Sequence, residues 1–298
     1  MSIRLIINGK KAGLEPVRAA VFEARQKGGI EVRSTWEGGD VERMVREAVA
    51  EGCRRLVVGG GDGTVKEMAD ALMKVAPEDR PEMCILPLGT ANDFATACGI
   101  PWDPTAALSL AQSGSTVAVD CVRANDEYFI NVASGGFGAQ VTATTPTALK
   151  NFLGGGAYTL SGLVQALNFT PHTGTARMPD LVEDAEMIVG AVCNGRQAGG
   201  GQQLAPGAYI NDGLLDVVVL HSFPAESAMQ VVREIREPSS EGQFARHYQV
   251  PWIDFDSDQA VPINLDGEPA NSKKTRFKVQ PGAIRLVLPA DCPVLAPA

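Results

Sequence analysis

The residues of this chain best suited to chemistry are a run of glycines between a strand and a helix: Leu56-Val57-Val58-Gly59-Gly60-Gly61-Asp62-Gly63-Thr64-Val65-Lys66-Glu67. Glycines accept positive φ and let backbone N–H groups approach a ligand, and a following helix brings its positive dipole end to the same place. That combination suits an anion such as phosphate. The run lacks the Lys-Ser/Thr ending of a Walker A loop and is not a complete Gly-x-Gly-x-x-Gly, so on physical grounds alone a plain strand-to-helix turn stays open as a reading. A second run, Pro87-Leu88-Gly89-Thr90-Ala91-Asn92-Asp93-Phe94-Ala95, also follows an apolar strand and opens a helix. Taken singly, Thr90 and Asn92 read equally well as helix caps.

Elements of a particular kind must hold these turns. Residues 5–8, 30–34, 56–59 and 83–86 read as short apolar strands, separated by amphipathic helices over 15–26, 41–51 and 65–75. This alternation predicts a doubly wound α/β domain, in which the turns at the carboxyl ends of parallel strands converge on one crevice. After about residue 120 the texture becomes glycine-punctuated and strand-like, at 127–133, 186–193, 214–220, 263–265 and 284–288, with helical stretches at 160–167 and 227–236. A mostly antiparallel β domain is expected there, with 180–184 and 237–241 as exposed loops. The division is therefore 1–122 for the nucleotide-type α/β domain and 123–298 for the β-rich one, whose C-terminal tail can return to the first. A substrate would sit in the cleft between them.

Composition excludes several classes. The 298 residues carry a net charge of −9 and a pI near 4.9, so nucleic acid is not an expected partner. The densest basic clusters, Arg54-Arg55 and Lys273-Lys274 with Arg276, read as solvated faces. Six scattered cysteines without a Cys-x-x-Cys pair fit isolated thiols in a reducing compartment, with no zinc site, and His172, His221 and His247 read as bystanders. The apolar run at 5–7 is too short for an export signal, and no run is long enough to span a bilayer. A cytoplasmic protein, peripheral to the inner membrane face at most, is expected.

The two glycine-containing motifs together resemble the diacylglycerol-kinase catalytic family. The first is shared with NAD kinases and, more loosely, with phosphofructokinases, whereas the second is the lipid-kinase version. Asn131-Val132-Ala133-Ser134-Gly135-Gly136-Phe137-Gly138, Gly195-Arg196-Gln197-Ala198-Gly199-Gly200-Gly201, Asn211-Asp212-Gly213-Leu214-Leu215-Asp216 and Leu265-Asp266-Gly267-Glu268 match in the same order. The resemblance thus runs along nearly the whole chain and is closest to the YegS-like lipid kinases. It implies a phosphofructokinase- or NAD-kinase-like nucleotide domain followed by a β-sandwich.

It also implies roles. Gly61, Asp62, Gly63 and Thr64, with the helix-opening Val65, Lys66 and Glu67, would cradle the phosphates of ATP, and Thr35 and Thr90 would make further nucleotide contacts. Lys66 stands where the family usually has Asn; it either adds positive charge near the phosphates or points to solvent. Glu268 matches the family's proton acceptor, although from spacing alone Asp266-Gly267-Glu268 is an ordinary hairpin. Mg²⁺ would accompany ATP, and a second ion, Mg²⁺ or Ca²⁺, would be held by Asp212 with backbone carbonyls of Leu215 and Val217. A lipid acceptor, reached by peripheral membrane contact, would be guided by the apolar residues Phe152, Leu153, Tyr158, Leu160, Leu163, Val164, Leu167 and Phe169, which otherwise read as a helix packed on its own domain. No obligatory protein partner is expected. Two rival readings stay open: a soluble-substrate kinase related to NAD kinases, and a non-catalytic nucleotide sensor.

Overall fold

The computed structural model describes residues 3–136 and 171–297, so the expected helix at 160–167 and the apolar set from Phe152 to Phe169 lie outside the described residues. The chain divides into two compact units. One comprises Met1–Cys121, Ile210–Asp212 and Gln280–Ala298; the other comprises Val122–Tyr209 and Gly213–Val279. The units interleave along the chain: the sequence reading drew its boundary at 122/123 and let the C-terminal tail return to the first domain, whereas Ile210–Asp212 in the first unit was not anticipated.

The first unit is a parallel sheet with helices on both faces. Its strands are β1 (Ile3–Ile7), β2 (Glu31–Ser34), β3 (Arg55–Gly60) and β4 (Glu82–Pro87), in spatial order β2-β1-β3-β4. Every residue of β1 and β3 is buried, as a parallel strand covered on both sides requires. Alternate side chains go to opposite faces. Ile3, Leu5, Ile7 and Val57 pack on Val17, Ala20 and Ala24 of α1 (Glu15–Gly28) and on Leu108 and Ala111 of α5 (Pro104–Ser113). Helices α2 (Asp40–Ala50) and α3 (Asp62–Met73) pack against each other and contact β1 and β3 respectively. A short α4 (Asp93–Ala97) follows β4.

Polar contacts tie the late segments into this unit. The Arg80 guanidinium donates to the carbonyls of Leu72 and Val75 at the end of α3 and to that of Ala283. The Gly282 N–H donates to the Asp120 carboxylate at 2.7 Å, and the Ile210 N–H donates to the Val294 carbonyl at 3.0 Å. Arg55, expected on a solvated face, is instead buried. Its register partner across the ladder is Glu82, whose carboxylate lies 2.6 Å from the guanidinium, and the Ala111 carbonyl accepts a further bond.

The second unit is antiparallel. Its strands are β6 (Glu127–Phe129), β7 (Val132–Gly136), β8 (His172–Met178), β9 (Leu181–Cys193), β12 (Leu215–His221), β13 (Ala245–Val250), β14 (Trp252–Leu265) and most of β15 (Glu268–Leu288), with the end of β5 (Ser115–Ala124) and the short pair β10 (Gln197–Ala198) and β11 (Gln202–Gln203). Both β7 and β8 bridge β9 and β14, at different heights, and the β14 register breaks between Asp256 and Val261. Phe129, Val192, Val217, Ile253, Ile263 and Phe277 form the core, the rings of Phe129 and Phe277 meeting edge to face at 6.2 Å. Helix α6 (Ala228–Arg236) covers a smaller cluster through Val231.

Two local expectations need correction. Residues 181–184 are not loop: only Pro179 and Asp180 turn, and Leu181 to Asp184 open β9 opposite β8. The expected strand at 127–133 is broken at Ile130 and Asn131. There the Asp266 carboxylate accepts the backbone N–H groups of Ile130, Asn131 and Val132 at 2.8, 3.1 and 2.7 Å. One side chain therefore satisfies three consecutive donors that a ladder would otherwise have to pair. Replacing Asp266 by Ala is expected to cost about 3 kcal/mol, because buried N–H groups lose a charged acceptor; urea unfolding followed by far-ultraviolet circular dichroism measures it.

Candidate functional site

Strand β3 ends in glycines for reasons visible in the packing. A Cβ on Gly60 would lie 2.5 Å from the Thr64 side chain. A Cβ on Gly89 would lie 2.5 Å from the Cα of Gly61, and one on Gly61 would lie 3.1 Å from the Cα of Gly89. The turns after β3 and β4 thus touch backbone to backbone. Three further bonds hold the second turn in place. The Leu88 N–H donates to the Gly60 carbonyl, the Gly89 N–H donates to Asn92 Oδ1 at 2.7 Å, and Asn92 Nδ2 donates back to the Gly89 carbonyl. Asn92 adopts φ 50°, a left-handed conformation that Asn tolerates better than most residues. It is the residue preceding α4 but makes no side-chain cap, whereas Thr90 is exposed on the turn.

The first intrahelical bond of α3 runs from Val65 N–H to the Gly61 carbonyl, so the amides just before it lead the helix's positive end. Gly61, Asp62, Gly63 and Thr64 are partly exposed around that end. The side chains of Val65 and Lys66 are buried, at 4% and 8% exposure, while Glu67 is exposed. Lys66 therefore does not simply point to solvent, and Val65 faces the core, leaving only its backbone for a ligand.

Next to this turn, one pocket is lined by Asn8, Gly9 and Lys10 after β1, by Ser34, Thr35, Trp36, Glu37 and Gly38 after β2, and by Thr64 and Glu67 of α3. It lies where the strand order reverses, the position at which open α/β sheets bind ligands. Of the sequence-derived set, it brings together Thr35, Thr64 and Glu67. Thr35 is fixed by its N–H to the Ile7 carbonyl and by its hydroxyl, which accepts from Gly9 N–H at 3.3 Å; a Cβ on Gly9 would fall 2.2 Å from the Thr35 carbonyl oxygen. Asn8, Gly9, Lys10 and Trp36 escaped the sequence reading. The available signal was Asn-Gly-Lys directly after the first strand.

The remaining candidates lie elsewhere. Asp266 and Gly267 form a two-residue hairpin turn with φ 49° and 101°, closed by the pair Leu265 and Glu268, as an Asp-Gly sequence favours. The Glu268 carboxylate is exposed. Asp212 belongs to the first unit, whereas Leu215 and Val217 open β12 in the second. Both have buried side chains, so only their carbonyls could serve an ion. Among the described residues no group of three His, Cys, Asp or Glu side chains forms a metal site. All six cysteines are buried thiols, none of them in a disulfide.

Asp62 shows the electrostatics of the turn. Burial pushes its carboxyl above the ordinary value; the Phe94 N–H, donating to Oδ1 at 3.3 Å, opposes this, and the charge of Asp93 adds to it. Folded Asp62 holds its proton to higher pH than the unfolded chain does. Its contribution is therefore most favourable in acid and is lost as pH rises through the raised native value. Asp62→Asn is expected to raise the melting temperature by about 2 °C near pH 7.5, with the gain vanishing near pH 3; thermal scans at the two pH values test the sign.

Comparisons with known proteins give the family. Residues 2–124 match the diacylglycerol kinase catalytic domain, and residues 131–288 match the YegS C-terminal NAD kinase beta sandwich-like domain. Proteins described as "Probable lipid kinase YegS-like" from Shewanella frigidimarina and Chromohalobacter salexigens are 50% and 47% identical, across 98% of this chain and 96% and 94% of theirs. The crystal structure of a diacylglycerol kinase from Bacillus anthracis, at 22% identity, shares the fold with a TM-score of 0.73 over 98% of both chains. The chain belongs to the YegS-like lipid kinases, a branch of the diacylglycerol-kinase catalytic family.

Proposed function

We propose that this enzyme transfers the γ-phosphoryl group of ATP to a hydroxyl of a lipid such as diacylglycerol or phosphatidylglycerol. The observation that carries this reading is the backbone contact of Gly61 with Gly89 at the leading end of α3. It supports a phosphate site built from backbone amides rather than from a Walker lysine. In this reading Gly61, Asp62, Gly63, Thr64, Val65 and Glu67 hold the phosphates, and Thr35 and Thr90 contact the rest of the nucleotide. Lys66 acts from its buried position as a fixed positive charge beside them.

Transfer requires the acceptor oxygen to bond to the γ-phosphorus as the bond to the bridging β–γ oxygen breaks and ADP leaves. Glu268, as general base, takes the hydroxyl proton during attack. A divalent ion, Mg²⁺ by this reading, neutralises charge on the phosphate oxygens. Asp62, which burial and Asp93 load unfavourably with charge, suits such an ion. Asp212 with the Leu215 and Val217 carbonyls is an oxygen-only donor set, appropriate to Mg²⁺ or Ca²⁺ and not to a thiophilic metal. No helix among the described residues is long and apolar enough to cross a membrane, which favours contact with the lipid at the bilayer surface.

The test is transfer from labelled ATP with Mg²⁺ into a lipid panel in mixed micelles. Native protein should label one lipid class, and Glu268→Gln should lose about 10²- to 10⁴-fold in kcat with nucleotide binding intact. Folded native protein that binds ATP but labels no lipid would favour a soluble acceptor related to that of NAD kinases, or a nucleotide sensor. Lys66→Ala is expected to raise the KM for ATP by about tenfold, as loss of a charged contact should; an unchanged KM rejects a role for its charge.

A further inference from the structure

The site at the sheet's switch point contains one residue that the phosphate chemistry leaves unused. Trp36 directly follows Thr35, lines the same pocket as Thr64 and Glu67, and is 95% exposed. A single exposed apolar side chain is ordinary on a protein surface, but this one stands on the wall of the pocket at the carboxyl ends of the strands, where its open face can meet a ligand. Its backbone is clamped. The Trp36 and Glu37 N–H groups donate to Asp40 Oδ2 at 2.6 and 3.1 Å, and the Arg43 guanidinium holds the other oxygen of the same carboxylate at 2.6 Å. Gly38 lines the same pocket, and no heavy atom lies within 4 Å of where its Cβ would stand, so that part of the wall is open.

Position along the sheet edge then specifies the ligand part. The amide-rich turn follows β3, Trp36 follows β2, and β1 lies between them. Two strand spacings are about 9.5 Å, a separation suited to the two ends of a nucleoside triphosphate. Resting on the nucleotide reading above, we infer that Trp36 is the platform on which the base of the phosphoryl donor stacks, and so a determinant of nucleotide affinity separate from the phosphate site. Asp40 acts through Trp36 as a positioning residue, fixing the backbone from which the indole projects.

The experiment compares ATP with inorganic tripolyphosphate, which has the phosphates and no base, by calorimetry on full-length protein. Trp36→Ala should weaken ATP about tenfold, the scale of one base–aromatic stack, and leave tripolyphosphate unchanged, with Trp36→Phe in between. In a Trp102→Phe, Trp252→Phe background, emission from Trp36 should be quenched by ATP and not by tripolyphosphate. Equal weakening of both ligands, or of neither, overturns the inference. Emission that responds only to phosphatidylglycerol vesicles overturns it in favour of a membrane contact. Native protein that binds neither ATP nor tripolyphosphate rejects the nucleotide reading itself, a result distinct from the failure of Trp36 alone.

Discussion

The close approach of the Gly61 and Gly89 backbones is the constraint around which the first unit is arranged. Neighbouring parallel strands lie about 4.8 Å apart, and the turns leaving them would ordinarily be held further apart by their side chains. Removing both Cβ atoms lets the turns touch; the Asn92 side chain then closes the second turn on itself, and the Asp62 carboxylate ties the segment after it to the start of α3. Everything upstream serves that contact. The buried, continuous apolar runs of β1 and β3 keep the strand ends level, and the small Gly9 lets β1 and β2 close up in the same way beside Thr35.

Short acidic side chains recur as the means of fixing loops. Asp40 accepts two amides before α2, Asp103 caps α5, Asp120 holds Gly282, and Asp266 gathers three amides at the break between β6 and β7. Each carboxylate replaces water on backbone donors that no ladder or helix pairs. The consequence is pH dependence of opposite signs in one unit. Asp40, pulled down to about 2 by the Trp36 amide, Arg43 and the Glu37 amide, stabilises the fold above the unfolded carboxylate range and loses that contribution as pH falls towards its own. Asp62, pushed up by burial, behaves in the reverse sense.

These features differ in how far the sequence announces them. Strands β1, β3 and β4 are legible because a fully buried parallel strand must be apolar along its length, and the glycine turn is legible because few other residues fit where backbones meet. Arg55 is not, because its burial depends on Glu82 arriving opposite it in a ladder whose register only the folded sheet defines. The break at Ile130 is hidden for the same reason, since its cause lies far along the chain at Asp266. Glu268 is legible as a hairpin residue through Asp-Gly, but spacing carries nothing about what its carboxylate does. Trp36 and Lys10 are single residues in loops, and only the convergence of three strand ends gives them a common pocket.

That convergence bears on how an acidic chain can attract an anionic ligand. With a net charge of −9, the long-range field would oppose the nucleotide of the proposed reaction, so its attraction would have to be local. The leading end of α3 supplies partial positive charge at fixed positions, Lys10 stands on the pocket wall, and the Lys66 side chain is buried just past the first turn of the helix. Partial charges and buried cations are screened little by salt, whereas surface charges are screened strongly. In the proposed reading, the contribution of the helix end and Lys66 to holding a phosphate chain would depend little on ionic strength, and that of the exposed Lys10 strongly. In the proposed reading, the carboxylates near the leading end of α3, Asp62 and Asp93, would oppose a phosphate chain unless a divalent ion offset its charge.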